Sequence, residues 1–225
     1  MKAFIPNGLT TLNLIFGIFS ILCTLNNEFF LAGCWIVAAM VADGLDGRAA
    51  RYFNVSGEFG KELDSLCDLV SFGAAPAILA YAVCLKDFGW GGYVLAALFA
   101  ACGAFRLARF NVNASTVKGH FVGLPIPAGG CLVATFVMAG FQIDPNLFAI
   151  MVALVAYLMV STIKHPDFKG KGEKTRKIPL AVTVLICAYL LFLNQAAIVF
   201  VPFFGFSLFG ILNTLFGVLD KKSDS

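Results

Sequence analysis

The chain alternates between long apolar runs and short polar breaks, and this pattern predicts a bundle of membrane-spanning helices. One helical span of the bilayer core needs roughly 20 apolar residues, and a chain of 225 residues has room for about eight such spans. The predicted spans are residues 9–25, 29–50, 63–85, 90–109, 124–142, 146–163, 178–194 and 196–216. Residues 1–8 form a short lead in which Pro6 is expected to break the helix. The predicted fold class is all-α, a polytopic membrane helical bundle.

The composition agrees with this pattern. Hydrophobic residues make up 60% of the chain and charged residues 13%, and the mean hydropathy is +0.87. These values exclude an ordinary soluble domain. The net charge of +3 gives no indication of nucleic-acid binding. Seven cysteines are scattered through apolar runs without C-x-x-C spacing, so neither a disulfide framework nor a zinc site is expected.

The basic residues predict the orientation of the bundle. Of the 16 lysines and arginines, only Lys86 falls in a connection on one side, and the other fifteen fall on the side of the termini. Cytoplasmic loops of membrane proteins are enriched in these residues. An even number of spans also puts both termini on one side. We therefore expect both termini and the basic connections to face the cytoplasm.

Four aspartates interrupt the apolar pattern where the second span ends and the third begins. Asp43 and Asp46 are three positions apart, and Asp64 and Asp68 are four apart, so each pair shares one face of its helix. The connection between these spans is short, and antiparallel neighbours would bring the four carboxylates together. Ionisable residues at membrane depth indicate function. Carboxylates this close need cations, and Mg²⁺ or Mn²⁺ prefers oxygen ligands.

Two glycines and an arginine accompany the aspartates. Gly47 directly follows Asp46, and Gly60 lies one helical turn before Asp64. Each glycine removes a side chain where a ligand can approach the backbone closely. Arg51, one turn beyond Gly47, offers a forked donor suited to phosphate. Together with divalent ions, these residues indicate a pyrophosphate site in which a free carboxylate takes a proton from an attacking hydroxyl.

Two other interpretations of the aspartates remain open. They could form helix-end salt bridges with Arg48, Arg51 and Lys61. The chain could also be a cation transporter with an acidic intramembrane site. Such a site is expected near the bilayer midplane, in broken helices of an inverted repeat. The aspartates instead cluster toward one face and have no counterpart elsewhere in the chain.

The motif itself resembles the signature of a known family. The pattern D-x-x-D-G-x-x-A-R, eight residues, then G-x-x-x-D-x-x-x-D is the signature of the CDP-alcohol phosphotransferases. The matching positions are Asp43, Asp46, Gly47, Ala50, Arg51, Gly60, Asp64 and Asp68. In the first span the chain also fits the P-N-x-x-T-x-x-N pattern common in this family. Those positions are Pro6, Asn7, Thr10 and Asn13.

The resemblance implies a role for each matching residue. The four aspartates would hold two divalent ions, Mg²⁺ or Mn²⁺, with Asp43 and Asp64 shared between them. Asp68 would also be the general base that deprotonates the acceptor alcohol. Relatives often carry Ser or Thr six residues after the motif arginine; that position is Gly57 here, and Ser56 precedes it. The residues expected to bind CDP are Gly47, Arg51, Gly60, Asn7, Thr10, Asn13 and Ser56.

Three further stretches, residues 63–77, 105–111 and 123–128, resemble the phosphatidylserine synthase branch of the family. This resemblance implies transfer of the phosphatidyl group from CDP-diacylglycerol to L-serine, with release of CMP. A single domain is expected over residues 1–225, with a core of about 1–163 and an additional helix pair at about 178–216.

The acceptor alcohol depends on a different set of residues. The carboxylate of serine needs a cation, which Arg106, Arg109 or Lys118 could supply, and Asn111 and Ser71 are candidate polar contacts. The same cations would suit the phosphate of glycerol 3-phosphate or inositol phosphate, so glycerol 3-phosphate or another alcohol is the alternative acceptor. Both arginines could also be ordinary positive-inside anchors.

The resemblance completes the expected setting. The active site would open from a polar cavity to the cytoplasm, in a protein of the prokaryotic cytoplasmic (inner) membrane. The predicted partners are CDP-diacylglycerol, L-serine and membrane lipids, with no nucleic acid. A homodimer is expected because the family tends to form one.

Overall fold

The computed structural model describes residues 4–53, 55, 57–113, 120–166 and 176–223. These residues form eight helices in the order of the chain. They are α1 (Phe4–Leu25), α2 (Phe29–Tyr52), α3 (Glu58–Val83), α4 (Trp90–Asn113), α5 (Ile126–Met138), α6 (Pro145–Val160), α7 (Lys177–Leu193) and α8 (Val201–Ser223). Short 3₁₀ turns, Leu85–Phe88 and Gln195–Ile198, precede α4 and α8.

The helices confirm the predicted all-α bundle, and each predicted apolar segment coincides with one of them. Among the described residues, α1 to α4 are long and apolar enough to cross a membrane. The other four contain shorter apolar stretches of 10–17 residues. The 13 residues of α5 extend only about 20 Å. Eight complete crossings therefore stay a prediction.

The short helix α5 lies at the centre of the bundle. Four consecutive residues from Cys131 to Ala134 are buried, so this helix is enclosed on all sides. The outer helices, in contrast, expose large apolar side chains; Leu22, Ile150 and Phe192 are 50%, 61% and 85% exposed. In an apolar chain this arrangement places the exposed side chains toward lipid.

Glycines allow α5 to approach its neighbours closely. A Cβ atom at Gly130 of α5 would lie 2.7 Å from the carbonyl oxygen of Phe72 in α3. At Gly103 of α4, it would lie 2.6 Å from the Cδ1 atom of Ile126. Small residues at such contacts are the usual means by which membrane helices pack backbone to backbone.

Hydrogen bonds show which helix ends lie together. Lys61 Nζ at the start of α3 donates to the carbonyl of Asn111 near the end of α4, at 3.1 Å. Asn194 Nδ2, just past α7, donates to the carbonyl of Ala139, just past α5, at 3.0 Å. We call the starts of α1, α3, α5 and α7 and the ends of the other four helices the site end. Among the described lysines and arginines, Lys86 alone lies at the opposite end.

The α2–α3 connection and the N-terminal lead differ from the sequence prediction. Helix α1 begins at Phe4 and runs through Pro6. A proline in the first helical turn is tolerated because the amide hydrogen there needs no partner within the helix. The connection predicted over residues 51–62 is also shorter, because α2 continues to Tyr52 and α3 begins at Glu58.

Helix α3 contains a wide turn immediately after the last motif aspartate. Its residues Glu58–Asp68 are α-helical, Leu69–Ala74 form a π-helical turn, and Ala75–Val83 resume the α-helix. Pro76 lies in the first turn of the second α-helical part, directly after the π-helical turn. Such π turns occur frequently at functional sites.

A small two-stranded sheet joins the segments on either side of the α5–α6 pair. Strand β1 (His120–Val122) pairs antiparallel with β2 (Lys164–Pro166), with Phe121 opposite His165. The following Gly123 has φ +78° and donates its N–H to the carbonyl of Ile163 at 2.8 Å. This positive φ favours glycine at the position.

Candidate active site

The structure brings three of the four motif aspartates into one cluster. Carboxylate oxygens of Asp43, Asp64 and Asp68 all lie within 4.8 Å of one another. Asp43 comes from α2, and the other two come from successive turns of α3. Asp68 is buried, while Asp43 and Asp64 are partly exposed. We call these three residues the carboxylate cluster.

Asp46 lies beside the cluster and is held by the first helix. Thr10 Oγ1 lies 2.6 Å from Asp46 Oδ2 and donates to it, and it also lies 3.0 Å from the carbonyl of Pro6. Asp46 is 6% exposed and Thr10 is 4% exposed. This hydrogen bond ties the start of α1 to the end of α2 at the edge of the carboxylate cluster.

Asn13 makes the corresponding link to α3. Its Nδ2 donates to Asp68 Oδ1 at 2.9 Å, and its own backbone carbonyl accepts a hydrogen bond from Ser71 Oγ at 2.9 Å. Asn13 and Ser71 are fully buried. The two hydrogen bonds join one residue of α1 to Asp68 and to the π-helical turn that follows it.

A cavity of about 1050 Å³ opens beside Asp46 and Asp64. It lies between the start of α1, the end of α2 and the start of α3. Five residues predicted to bind CDP line it, namely Asn7, Thr10, Gly47, Arg51 and Gly60. Asn13, also predicted to bind CDP, is absent from this lining and contacts Asp68 instead. Ser56 lies outside the described residues.

The two motif glycines line this cavity, and helix packing does not require either position to lack a side chain. A Cβ atom at Gly47 would come no closer than 3.6 Å to Arg51, and one at Gly60 would lie 3.4 Å from Asn7 Oδ1. These are ordinary contact distances. Gly130 differs, because its missing Cβ is required by a neighbouring backbone. The space left by Gly47 and Gly60 is therefore space in the cavity.

Arg106 of α4 is a buried cation close to the carboxylate cluster. It is 7% exposed and interacts electrostatically with Asp68 and Asp43. Its guanidinium carbon lies 5.0 Å from the ring centre of Phe110. Among the described residues, no hydrogen bond or ion pair engages this guanidinium. Its donors therefore remain available to an anion next to the carboxylate cluster.

The other predicted acceptor residues are already engaged within the protein. Arg109 donates to four backbone carbonyls, with the shortest contact 2.8 Å from Nη1 to Val160. Asn111 Nδ2 donates to Ser65 Oγ at 2.8 Å. The Ser71 hydroxyl donates to Asn13. These contacts join helices, and an acceptor would have to replace them. Lys118 lies outside the described residues.

Lys61, Glu58 and Phe59 also line the cavity, although the sequence did not single them out as site residues. Lys61 gives the cavity a second cationic side chain in addition to Arg51. Phe59 exposes 71% of its surface there. The available signal was position, because all three lie within one turn of Gly60 in the motif.

The residues present fit a divalent ion. Oxygen is the ligand atom that hard divalent ions prefer, and the cluster offers oxygens from three carboxylates. Asp64 Oδ1 is buried and has no hydrogen-bond partner. Buried polar atoms without a partner are rare in folded proteins, and a cation would satisfy this one. The same cation would offset the mutual repulsion of the three carboxylates.

Comparison with known proteins identifies the family. Residues 3–163 match the CDP-alcohol phosphatidyltransferase family. The CDP-diacylglycerol–serine O-phosphatidyltransferase of Helicobacter pylori is 37% identical, over 94% of this chain and 91% of the relative. The Bacillus subtilis protein of the same name is 41% identical, over 74% and 92%. Archaetidylserine synthase of Methanothermobacter thermautotrophicus is 38% identical, over 76% and 73%. The chain therefore belongs to the CDP-alcohol phosphatidyltransferase family, as its aspartate motif predicts.

Proposed function

We propose that this protein transfers the phosphatidyl group of CDP-diacylglycerol to the hydroxyl of L-serine, forming phosphatidylserine and CMP. The observation that carries the proposal is the carboxylate cluster: Asp64 lines a cavity formed by the motif, and Asp43 and Asp68 interact with the buried cation Arg106. The names of the relatives support serine as the acceptor. The donor would thus reach the cluster through the cavity, and the acceptor would be bound by Arg106.

The donor would occupy the cavity with its pyrophosphate toward Asp46 and Asp64. Gly47 and Gly60 leave room for it there, and Arg51 supplies a forked donor for phosphate oxygens. Asn7 and Thr10 line the same wall. Ser56 stays a predicted contact. The cavity volume of about 1050 Å³ is large enough for a nucleotide.

The four motif aspartates would hold two divalent ions, with Asp43 and Asp64 shared between them. When bound, these ions would offset the charge of the pyrophosphate and of the transferred phosphoryl group. The cluster of Asp43, Asp64 and Asp68 supports this assignment most directly. Asp46 would contribute the carboxylate oxygen that Thr10 does not engage.

Asp68 would be the general base. Its carboxylate would accept the proton of the serine hydroxyl, and the serine oxygen would form a bond to the β-phosphorus of CDP-diacylglycerol. The bond between this phosphorus and the oxygen shared with CMP would break, and CMP would leave with the electron pair. Positioned bases contribute typically 10²–10⁴-fold to such reactions.

Arg106 would bind the carboxylate of serine. It is the predicted acceptor cation whose donors are not used within the described part of the protein, and it interacts with Asp68. A carboxylate bound there would hold the serine hydroxyl near the base. Arg109, Asn111 and Ser71 hold the surrounding helices in place through their hydrogen bonds. Lys118 and the homodimer stay predictions.

The site end would face the cytoplasm of a prokaryotic inner membrane. The distribution of charge supports this orientation, because the described lysines and arginines other than Lys86 lie at the site end. CDP-diacylglycerol would then keep its acyl chains in the bilayer while its nucleotide reaches the cavity from the cytoplasm.

An acceptor screen tests the function. Purified protein would be given CDP-diacylglycerol and Mn²⁺ with L-serine or with glycerol 3-phosphate, and CMP release would be measured. We expect release chiefly with serine. The Asp68→Asn variant is the matched control and should release little CMP while still binding the CDP-lipid.

Two other outcomes have distinct meanings. If glycerol 3-phosphate is the productive acceptor, serine is the wrong alcohol but the phosphatidyl transfer stands. If no alcohol releases CMP, the proposed reaction is wrong, and the cation-transporter interpretation becomes the one to test.

A further inference from the structure

Asn13 belongs to the motif region, but its surroundings differ from those of Asn7 and Thr10 on the same helix. Asn7 and Thr10 line the cavity, whereas Asn13 does not and is fully buried. Its Nδ2 donates a hydrogen bond to Asp68 Oδ1 at 2.9 Å. A direct contact with the nucleotide would therefore require Asn13 to give up its bond to Asp68.

We infer that Asn13 is a positioning residue for Asp68, rather than a residue that binds CDP. The inference rests on the proposed role of Asp68 as the general base. Asn13 acts through Asp68 by fixing the rotation of the carboxylate, so that one oxygen is engaged and the other is left for the reaction.

The hydrogen bond fixes which atoms face each other. A carboxylate only accepts when ionised, so the amide must turn its Nδ2 toward Asp68 and its Oδ1 away. Asp68 Oδ1 receives this bond, and Oδ2 has no hydrogen-bond partner among the described residues. The carboxylate is thus held at one oxygen and open at the other.

The backbone of Asn13 is held as well. Ser71, three residues after Asp68, donates from its hydroxyl to the Asn13 carbonyl at 2.9 Å. Gly17, one helical turn further along α1, permits this contact, because a Cβ atom at Gly17 would overlap Ser71. Asp68 and Ser71 thus hold one residue of α1 at two points across the start of the π-helical turn.

Asn13 is an unfavourable choice for packing alone. Its Oδ1 is buried and has no partner, and such atoms are usually satisfied in folded proteins. A leucine of similar size would fill the site without this unpaired amide oxygen, and the one interaction that it would lose is the hydrogen bond to Asp68 Oδ1. The amide is therefore explained by what it does to Asp68.

The test compares Asn13→Leu with wild type, using CMP release from CDP-diacylglycerol with L-serine. We expect kcat to fall on the order of 100-fold, the scale of a misplaced reacting group. We expect the KM for CDP-diacylglycerol to stay within about threefold. The thermal unfolding temperature should change little, because removal of the unpaired amide oxygen offsets the loss of the donor to Asp68 Oδ1.

Two further variants make the result specific. Asn13→Ala also has no amide hydrogen to donate, and it should lose kcat as well; it decides the matter if Asn13→Leu does not fold. Thr11→Val changes an exposed residue of α1 outside the site, and it should leave both constants unchanged.

The inference is overturned if a folded Asn13 variant keeps kcat within about threefold of wild type, or if its defect lies in the KM for the CDP-lipid or in its binding. Failure of the proposed function looks different. In that case wild type itself would release no CMP with serine, or Asp68→Asn would retain near-normal turnover.

Discussion

At the scale of single residues, a glycine indicates a ligand-binding site only where helix packing does not require the side chain to be missing. Gly47 and Gly60 line the cavity, and a Cβ atom at either would make only ordinary contacts, with Arg51 and with Asn7 respectively. At Gly44, on the same helix as Gly47, a Cβ atom would have nothing within 4 Å, and this glycine does not line the cavity. The two positions of α2 therefore form a matched pair.

Gly47→Ala should weaken donor binding without unfolding the protein. The added methyl group would occupy space in the cavity where we place the pyrophosphate. We expect the KM for CDP-diacylglycerol to rise about tenfold, equivalent to ~1.4 kcal/mol, as measured by CMP release. Thermal stability should hold or rise, because alanine favours helix over glycine.

Gly44→Ala is the control for this experiment. It introduces the same methyl group into the same helix, and it should leave the KM unchanged. Equal KM values for both variants and wild type would show that no substrate approaches Gly47.

The roles of single residues could be predicted from the sequence only where spacing carries the information. The i, i+3 and i, i+4 spacings of the aspartates predicted that four carboxylates meet. The structure brings Asp43, Asp64 and Asp68 together, while Asp46 lies beside them and is bonded to Thr10. The partners of Arg109 could not be predicted, because they are backbone carbonyls at the end of α6 and in strand β1. Which carbonyls lie within reach depends on how the helices pack.

At the scale of elements, Arg109 connects the end of α6 to the start of the α5 segment. It donates to the carbonyls of Met159, Val160, Ser161 and Val122. The last carbonyls of a helix lack hydrogen-bond donors within the helix. The forked guanidinium of Arg109 supplies such donors here. Gly123 lies against the same group, where a Cβ atom would be 2.7 Å from Arg109 Nη2.

Arg109→Lys should destabilise the protein although the charge is kept. Lysine has one ammonium group and cannot reach four separate carbonyls in a forked arrangement. Hydrogen bonds to charged groups contribute about 1.5–3 kcal/mol each, so we expect a loss of at least about 2 kcal/mol. Thermal unfolding in detergent would show this as a lower midpoint.

Arg48→Lys is the matched control, since Arg48 is exposed on α2. It should unfold at the wild-type temperature. If both variants unfold together with wild type, the four contacts of Arg109 contribute nothing measurable to stability.

The number and position of the helices could be predicted, because each long apolar run in this chain forms a helix. Two other features could not be predicted from the sequence. Helix α1 passes through Pro6, which a rule based on proline alone treats as a break. The β1–β2 pair joins segments more than 40 residues apart in sequence, and its three-residue strands carry no periodicity of their own.

At the scale of the whole molecule, charge is distributed very unevenly between the two ends. Arg48, Arg51 and Lys61 surround the cavity end of α2 and α3, and Lys86 lies at the opposite end. This asymmetry predicts the orientation of the complete protein in a membrane.

Reporter fusions in a bacterial host would test the orientation. Green fluorescent protein fused after Ser225 should fluoresce, because it folds in the cytoplasm. Alkaline phosphatase fused directly after Lys86 should be active, because it requires the outer side. Swapping the two reporters is the control and should give no signal at either position. Signals from the swapped pair would reverse the proposed orientation and place the cavity outside.

The order of the chain has a consequence for how the protein is made. Helices α1 to α3 carry all four motif aspartates together with Thr10, Asn13 and Ser71, whereas Arg106 follows on α4. A chain emerges from the ribosome N-terminus first. The acidic half of the site therefore enters the membrane before its buried cation, and insertion of α4 is the step of biogenesis that completes the charge balance.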